Sequence, residues 1–210
     1  SSALDASSDW RKFPRCGFFS DFGPDQSPEE VEHRAAQLAR YHINVVQFYD
    51  WMYTHDRLVK RAGDGKVART WTDWAGRTIS AEVIRRKVAA AHRQGMKALA
   101  YSLMYGDSGN ARPEHVEWAA FKEPFQTNWS KVESHPETNA FLFVMDATNE
   151  EWRRHLFGEL REAFRMFGFD GLHLDNLGAR WLCRYNSDSR IGEREAFPAF
   201  LDRALAENPE

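Results

Sequence analysis

The sequence predicts an α/β fold of the (β/α)8 TIM-barrel type, with about the first four β/α units present, a truncated barrel. Three observations lead there. Short apolar runs alternate four times with amphipathic stretches, with no hairpin signal between them, which argues for parallel strands joined by helical crossovers. Three of the runs close on an acid: Asp21, Asp50 and Asp175. Two long excursions, 52–79 and 104–140, follow strands rather than helices, where a barrel enzyme carries its site loops. A doubly wound open sheet is the structural rival. A complete barrel takes roughly 250 residues, so four units in 210 residues read as half of one.

Taken in order, RCGFFSDF at 15–22 reads as the first strand, ending on Asp21. Ser27, Pro28 and Glu30 then start a helix with three signals at once: a capping serine, proline at the first helical position, and an acid three residues on. Val31, Ala35, Leu38 and Ala39 give that helix one apolar face. NVVQFYDW, 44–51, is the second strand and ends on Asp50. Ser80 opens a second helix with Ile84, Val88 and Ala91 on one side, and Gly95 closes it. KALAYSL, 97–103, is the third strand. The apolar run 141–145 is an extra strand or a barrel-lip segment. Thr148 with Glu151 predicts a capping box for a long helix over 148–167, in which Trp152, Leu156, Leu160, Ala163, Phe164 and Phe167 recur at helical spacing. In GFDGLHLDNLG, 168–178, glycines bound a run too short for a helix; it reads as a buried strand closed by Asp175. A last helix is expected from about 193 to 207.

Composition narrows the function. At 42% apolar, 210 residues can bury one core, so 1–10 reads as linker and 11–210 as a single partial barrel domain. The net charge of −3, with both signs spread along the chain, points to neither nucleic acid nor a membrane surface. No apolar run is long enough to span a bilayer, and the start carries no signal-peptide pattern. Cys16 and Cys183 are too few for a disulfide framework, and nothing forces them to pair. Eight tryptophans are many for this length. Most suit core packing, but Trp51, Trp71, Trp74, Trp118 and Trp129 fall in loops or at their edges, where rings stack on sugars or pin the loop down.

CxxC, HExxH and HxH patterns are absent, GDGKV at Gly63 lacks phosphate-loop spacing, and there is no serine-hydrolase elbow. His173 and Asp175 offer two metal ligands, which is not a site, so neither metal nor cofactor is expected. Each strand-end acid taken alone is more readily a loop cap than a catalyst. Three at equivalent positions, beside Tyr49, Trp51, Tyr101, Tyr105 and His173, point to a polar pocket with aromatic walls. Carboxylates and aromatics without metal or phosphate ligands suit glycoside chemistry. Strand alternation puts His173 below Asp175 on one face. In the second strand Gln47 and Tyr49 share one face and Phe48 and Asp50 the other, and which points inward stays open.

FPRCGFFSDF, RYHINVVQFYDWMYTH, HRQGMKALAYSLMYG, MDATNEEW and GFDGLHLDNLG, in this order and at these spacings, resemble glycoside hydrolase family 66. That is the family of bacterial dextranases and cycloisomaltooligosaccharide glucanotransferases, and the similarity runs from about Arg11 onward. The resemblance implies a (β/α)8 catalytic barrel behind a β-sandwich domain, and cleavage of α-1,6-linked glucan with retention of configuration. It makes Asp175 the nucleophile and Asp50 a second acid needed for activity, acting through sugar hydroxyls. Asp21 and His173 match polar positions of the same pocket, and Tyr49, Trp51, His55, Tyr101, Tyr105 and Asn176 complete the expected glucan-binding set. Cys16 stands where an aromatic residue is common. The acid/base glutamate of the family lies on a later strand, beyond Glu210. The implied partner is an α-1,6-glucan or isomalto-oligosaccharide, at an extracellular or bacterial cell-surface location. A cyclising transglycosylase of the same family and a non-catalytic glucan-binding relic are the rival functions. The 210-residue fragment is expected to be inactive alone and to self-associate through its open sheet.

Overall fold

The computed structural model describes residues 9–109, 114–128, 133–135, 140–175 and 182–207. In chain order its elements are β1 (Cys16–Phe19), α1 (Pro28–Arg40), β2 (Val45–Phe48), β3 (Thr70–Thr72), β4 (Thr78–Ser80), α2 (Ala81–Arg93), β5 (Lys97–Leu103), β6 (Gly106–Gly109), β7 (Ala120–Phe121), β8 (Glu133–His135), β9 (Ala140–Val144), α3 (Glu150–Phe167), β10 (Gly171–Asp175), β11 (Leu182–Arg184), β12 (Arg190–Ile191) and α4 (Glu193–Glu207). Four strands form one parallel sheet in the order β1-β2-β5-β10, so each expected β-then-α unit adds its strand beside the one before. Among the described residues this is a partial α/β domain. The sheet ends at β1 and β10 and does not close.

The helices form where the sequence signals them. Ser27 caps α1 through a complete capping box with Glu30, and Ser80 accepts the Val83 N–H at the start of α2. Helix α3 corrects the predicted start by one residue. Its cap is Asn149, whose side chain accepts from the N–H groups of Glu151 and Trp152. The Thr148 hydroxyl is engaged elsewhere: it donates to Asp146 Oδ1 at 2.6 Å, where the Thr148 N–H also donates at 2.8 Å, and its oxygen accepts from Arg184 Nη2 at 3.1 Å. Gly168 ends α3 at φ 79°, a left-handed turn that costs glycine nothing.

One face of the sheet lies under the helices. Phe19, Val46, Phe48, Ala98 and Ala100 are buried there, facing the apolar stripes of α1, α2 and α3. The other face carries Phe18, Gln47, Tyr49, Leu99, Tyr101, His173 and Asp175, aligned by the register Phe18↔Gln47↔Leu99↔Gly171 and Tyr101↔His173. Phe18 is 55% exposed on that face.

Two expectations change. Strands β1 and β2 stop at Phe19 and Phe48, so Asp21 and Asp50 each stand two residues past a strand rather than on it. Antiparallel pairs also occur outside the parallel sheet. β3 pairs with β4, β9 lies between β6 and β8, and β11 lies between β12 and β7, all antiparallel. The run 141–145 is thus largely β9, outside the parallel sheet. The β3–β4 turn escapes the usual Asn-Gly signature. Asp73 organises it instead: Oδ1 accepts the N–H groups of Ala75 and Arg77, and Gly76 supplies φ 84°.

Candidate active site

The carboxyl end of β10 carries the centre of the site. Asp175 is the last residue of that strand and is half-buried. Tyr101, from the neighbouring β5, donates its hydroxyl to Asp175 Oδ2 at 3.0 Å. Burial, followed by the negative charge of Asp175, pushes the Tyr101 phenol well above its ordinary range, so it stays protonated and remains a donor. Tyr49, just past β2, sets its ring 4.5 Å from that of Tyr101 and is 36% exposed. His173, two residues before Asp175, packs edge-on against Tyr101 at 5.4 Å. Burial holds its imidazole below the usual histidine range, with Asp175 opposing. Tyr49, Tyr101, His173 and Asp175 therefore meet on one face, as alternation along β10 implies, and Tyr49 rather than Asp50 continues the inward side of β2.

Asp50 reaches the same region by another route. Its φ of 53° turns the chain out of the strand, and its side chain is 9% exposed. Burial raises its carboxyl above the ordinary range, while Arg77, whose Nη2 donates to Oδ2 at 3.0 Å, pulls it back. Below this layer, His55 is buried between Trp74 and Tyr101, with Nδ1 2.6 Å from Ser108 Oγ. Desolvation lowers its pKa to about 3, so it is a neutral structural support.

Other expected residues take different places. Trp51 is fully buried; its indole N–H donates to the Tyr101 carbonyl at 3.2 Å and its ring packs on Phe167 and Phe169. It leaves no surface for a sugar, and it braces the strand that carries Tyr101. Tyr105 is buried in the turn between β5 and β6. Asp21 is not brought to the cluster. Its Oδ1 accepts the Gly23 N–H, its carbonyl accepts Lys87, and Arg34 of α1 stands 3.6 Å from Oδ2. These bonds hold Asp21 at a cavity of about 460 Å3 lined also by Tyr41 and Lys87. Trp71 is buried, and Asn176 and Trp129 lie outside the described residues. Among the described residues His173 and Asp175 gain no third metal ligand. Sequence reading missed Arg77, Asp73 and Ser108. The signal for the first two was available, an acid and an arginine four apart across Trp74-Ala75-Gly76.

The model of glycosyl hydrolase family 66 matches residues 1–210. The chain belongs to glycosyl hydrolase family 66. It is 35% identical over 207 residues to a cycloisomaltooligosaccharide glucanotransferase of Niallia circulans, covering 97% of this chain and 21% of that protein. It is 23% identical over 206 residues to a dextranase of Streptococcus salivarius, covering 93% of this chain and 25% of that protein. A Paenibacillus sp. cycloisomaltooligosaccharide glucanotransferase, solved in complex with cycloisomaltoheptaose, matches with a TM-score of 0.87 at 28% identity, over 98% of this chain and 30% of that one. The chain thus spans a fifth to a quarter of the length of these curated family 66 relatives. No helix among the described residues is long and apolar enough to cross a membrane.

Proposed function

We propose that this family 66 chain is the amino-terminal half of a (β/α)8 catalytic barrel that cleaves α-1,6-glucosidic linkages of dextran with retention. The observation that carries the reading is Asp175 at the tip of β10, its carboxylate fixed by the Tyr101 hydroxyl at 3.0 Å. A nucleophile needs this: a rigid strand behind it and a donor that fixes its orientation. In the first step an Asp175 oxygen bonds to the anomeric carbon as the glycosidic bond breaks. A glutamate from chain beyond Glu210, about 5–5.5 Å from Asp175 as retention requires, gives the leaving oxygen its proton. In the second step the same glutamate takes a proton from water, which displaces Asp175. Asp50 accepts hydroxyls of the reacting sugar, and Tyr49 offers it an exposed ring. Burial of His173 disfavours its charged form, which limits positive charge beside the nucleophile. The exposed Phe18 on the same sheet face fits an interior whose opposite wall comes from elsewhere in the protein, and it is where isolated fragments would associate. An extracellular location accords with a polymeric substrate.

A second reading keeps every residue in its role and changes only the acceptor. A sugar hydroxyl replaces water, giving cyclic isomalto-oligosaccharides. Higher identity to the glucanotransferase than to the dextranase favours it, and the product profile on dextran separates the two. The test of the shared mechanism is Asp175→Ala in the intact enzyme. Dextran cleavage should be abolished with the fold retained, and azide should partly restore turnover of an activated α-glucoside with an inverted product. Near-normal activity without azide would remove Asp175 from the role.

A further inference from the structure

A buried carboxylate is costly unless a partner and its hydrogen bonds compensate. The partner of Asp50 comes from none of the four parallel strands. It is Arg77, at the start of the return from the β3–β4 turn, 27 residues on. Arg77 is itself held by an acid. Asp73 Oδ2 accepts from Nε at 2.7 Å and stands 2.6 Å from Nη2, and its Oδ1 accepts the Arg77 backbone N–H at 2.7 Å. The Asp73 side chain has no exposed surface. The guanidinium therefore lies between two carboxylates, one that fixes it and one that it fixes. Asp50 Oδ1 is buried without a hydrogen bond of ordinary length among the described residues, although the Trp74 indole is near enough to favour the charged form.

We propose that Arg77, locked by Asp73, is the positioning residue that keeps Asp50 charged and aimed at the hydroxyls of the reacting sugar, which makes the 73–77 turn a working part of the site. The inference rests on the reading of Asp50 as a sugar-binding acid. Among the described residues the charged and titratable groups that act on Asp50 are Arg77 and Asp73 from the hairpin, Tyr49 from the end of β2 and Tyr101 from β5, and the Trp74 indole favours its charged form. Arg77 is the one cation among these four. Without it, burial and Asp73 act together and Asp50 keeps its proton to higher pH. The charged form is lost as pH falls through the pKa of the group, so raising that pKa moves the acid limb of the pH–rate profile to higher pH. Lysine can restore the charge but not the two-sided fork.

The experiment compares Arg77→Gln, Arg77→Lys, Asp50→Asn and the Gln/Asn double variant in the intact enzyme, each checked for native circular dichroism. Arg77→Gln should lower kcat/KM on dextran by about 10- to 100-fold near neutral pH and displace the acid limb upward. Arg77→Lys should return the limb towards wild type while the rate stays reduced. In the double variant the displacement should vanish, and the loss should not exceed that of Asp50→Asn alone. An unmoved limb in Arg77→Gln, or strictly additive losses, would overturn the proposal. A readout independent of substrate is the 13Cγ titration of Asp50, assigned by its absence in Asp50→Asn. Its midpoint should rise in Arg77→Gln, and an unchanged midpoint also overturns the inference. Should Arg77→Gln not fold, Asp73→Asn replaces it: it removes a negative charge, so a rate loss with no upward movement of the limb supports positioning, and an unaltered rate refutes it. A wild-type enzyme inert on dextran refutes the functional reading instead, and leaves the titration to decide the pairing.

Discussion

Strand β10 has an acid at each end, and the two should behave oppositely when removed. Asp170 precedes the strand by one residue. Its Oδ2 accepts the Ala98 N–H at 2.8 Å and His92 Nε2 at 2.7 Å, and its Oδ1 accepts Lys97 Nζ at 2.8 Å. Together these bonds tie the entry of β10 to α2 and the start of β5. Asp170→Ala removes all three. Ala98 has no exposed surface, and a buried N–H that loses its acceptor costs about 1–3 kcal/mol. The two side-chain partners are 41% and 44% exposed and can turn to water, so each adds no more than about 1 kcal/mol. A total loss of about 1–5 kcal/mol corresponds to a fall in Tm of about 2–20 °C for a domain of this size. Thermal and urea unfolding of the intact protein measure it, with dextran turnover read well below the transition. Asp170→Ala should unfold early and still turn over at close to the wild-type rate. The hydrogen bonds depress the Asp170 pKa against the opposing effect of burial. Its stabilisation is therefore present above the unfolded value, about 3.9, and is lost as pH falls through the lower folded one. The stability gap between wild type and variant should stay constant near neutrality and close under strongly acid conditions. Unchanged unfolding, or lost turnover at full stability, would refute this division of the strand.

Two further substitutions test particular placements. Trp51→Ala should cost about 3–5 kcal/mol of stability, as for a large buried aromatic, measured by urea unfolding. A normal unfolding curve with a raised KM for dextran would put the indole back in the substrate site. Asn149→Ala should cost about 1 kcal/mol through loss of the α3 cap, and Asn149→Ser should recover most of it. A neutral Asn149→Ala would return the cap to Thr148.

Much of this protein is legible without coordinates because helix and strand signals are local. The Ser27 box, the stripe from Trp152 to Phe167 and the short run closed by Asp175 each lie within one element, and the structure keeps them all. That Asp175 stands at a strand end and shares a face with His173 follows from alternation alone. The β3–β4 hairpin in the first excursion was not legible, because a buried aspartate rather than an Asn-Gly pair makes its turn.

What the tertiary structure alone decided is which acids the fold brings together and what each one meets. Asp21, Asp50 and Asp175 look equivalent as strand ends. Yet the premature end of β1 leaves Asp21 on the α1 side, the φ at Asp50 turns it towards Arg77, and only Asp175 stays on its strand. The deciding bonds join residues far apart in the chain, 27 from Asp50 to Arg77 and 74 from Tyr101 to Asp175. Periodicity and capping act within a few residues of themselves. The partner of a carboxylate depends on sheet register, on a turn in a distant hairpin and on which side of the sheet is desolvated, and those exist only once the strands have been placed side by side.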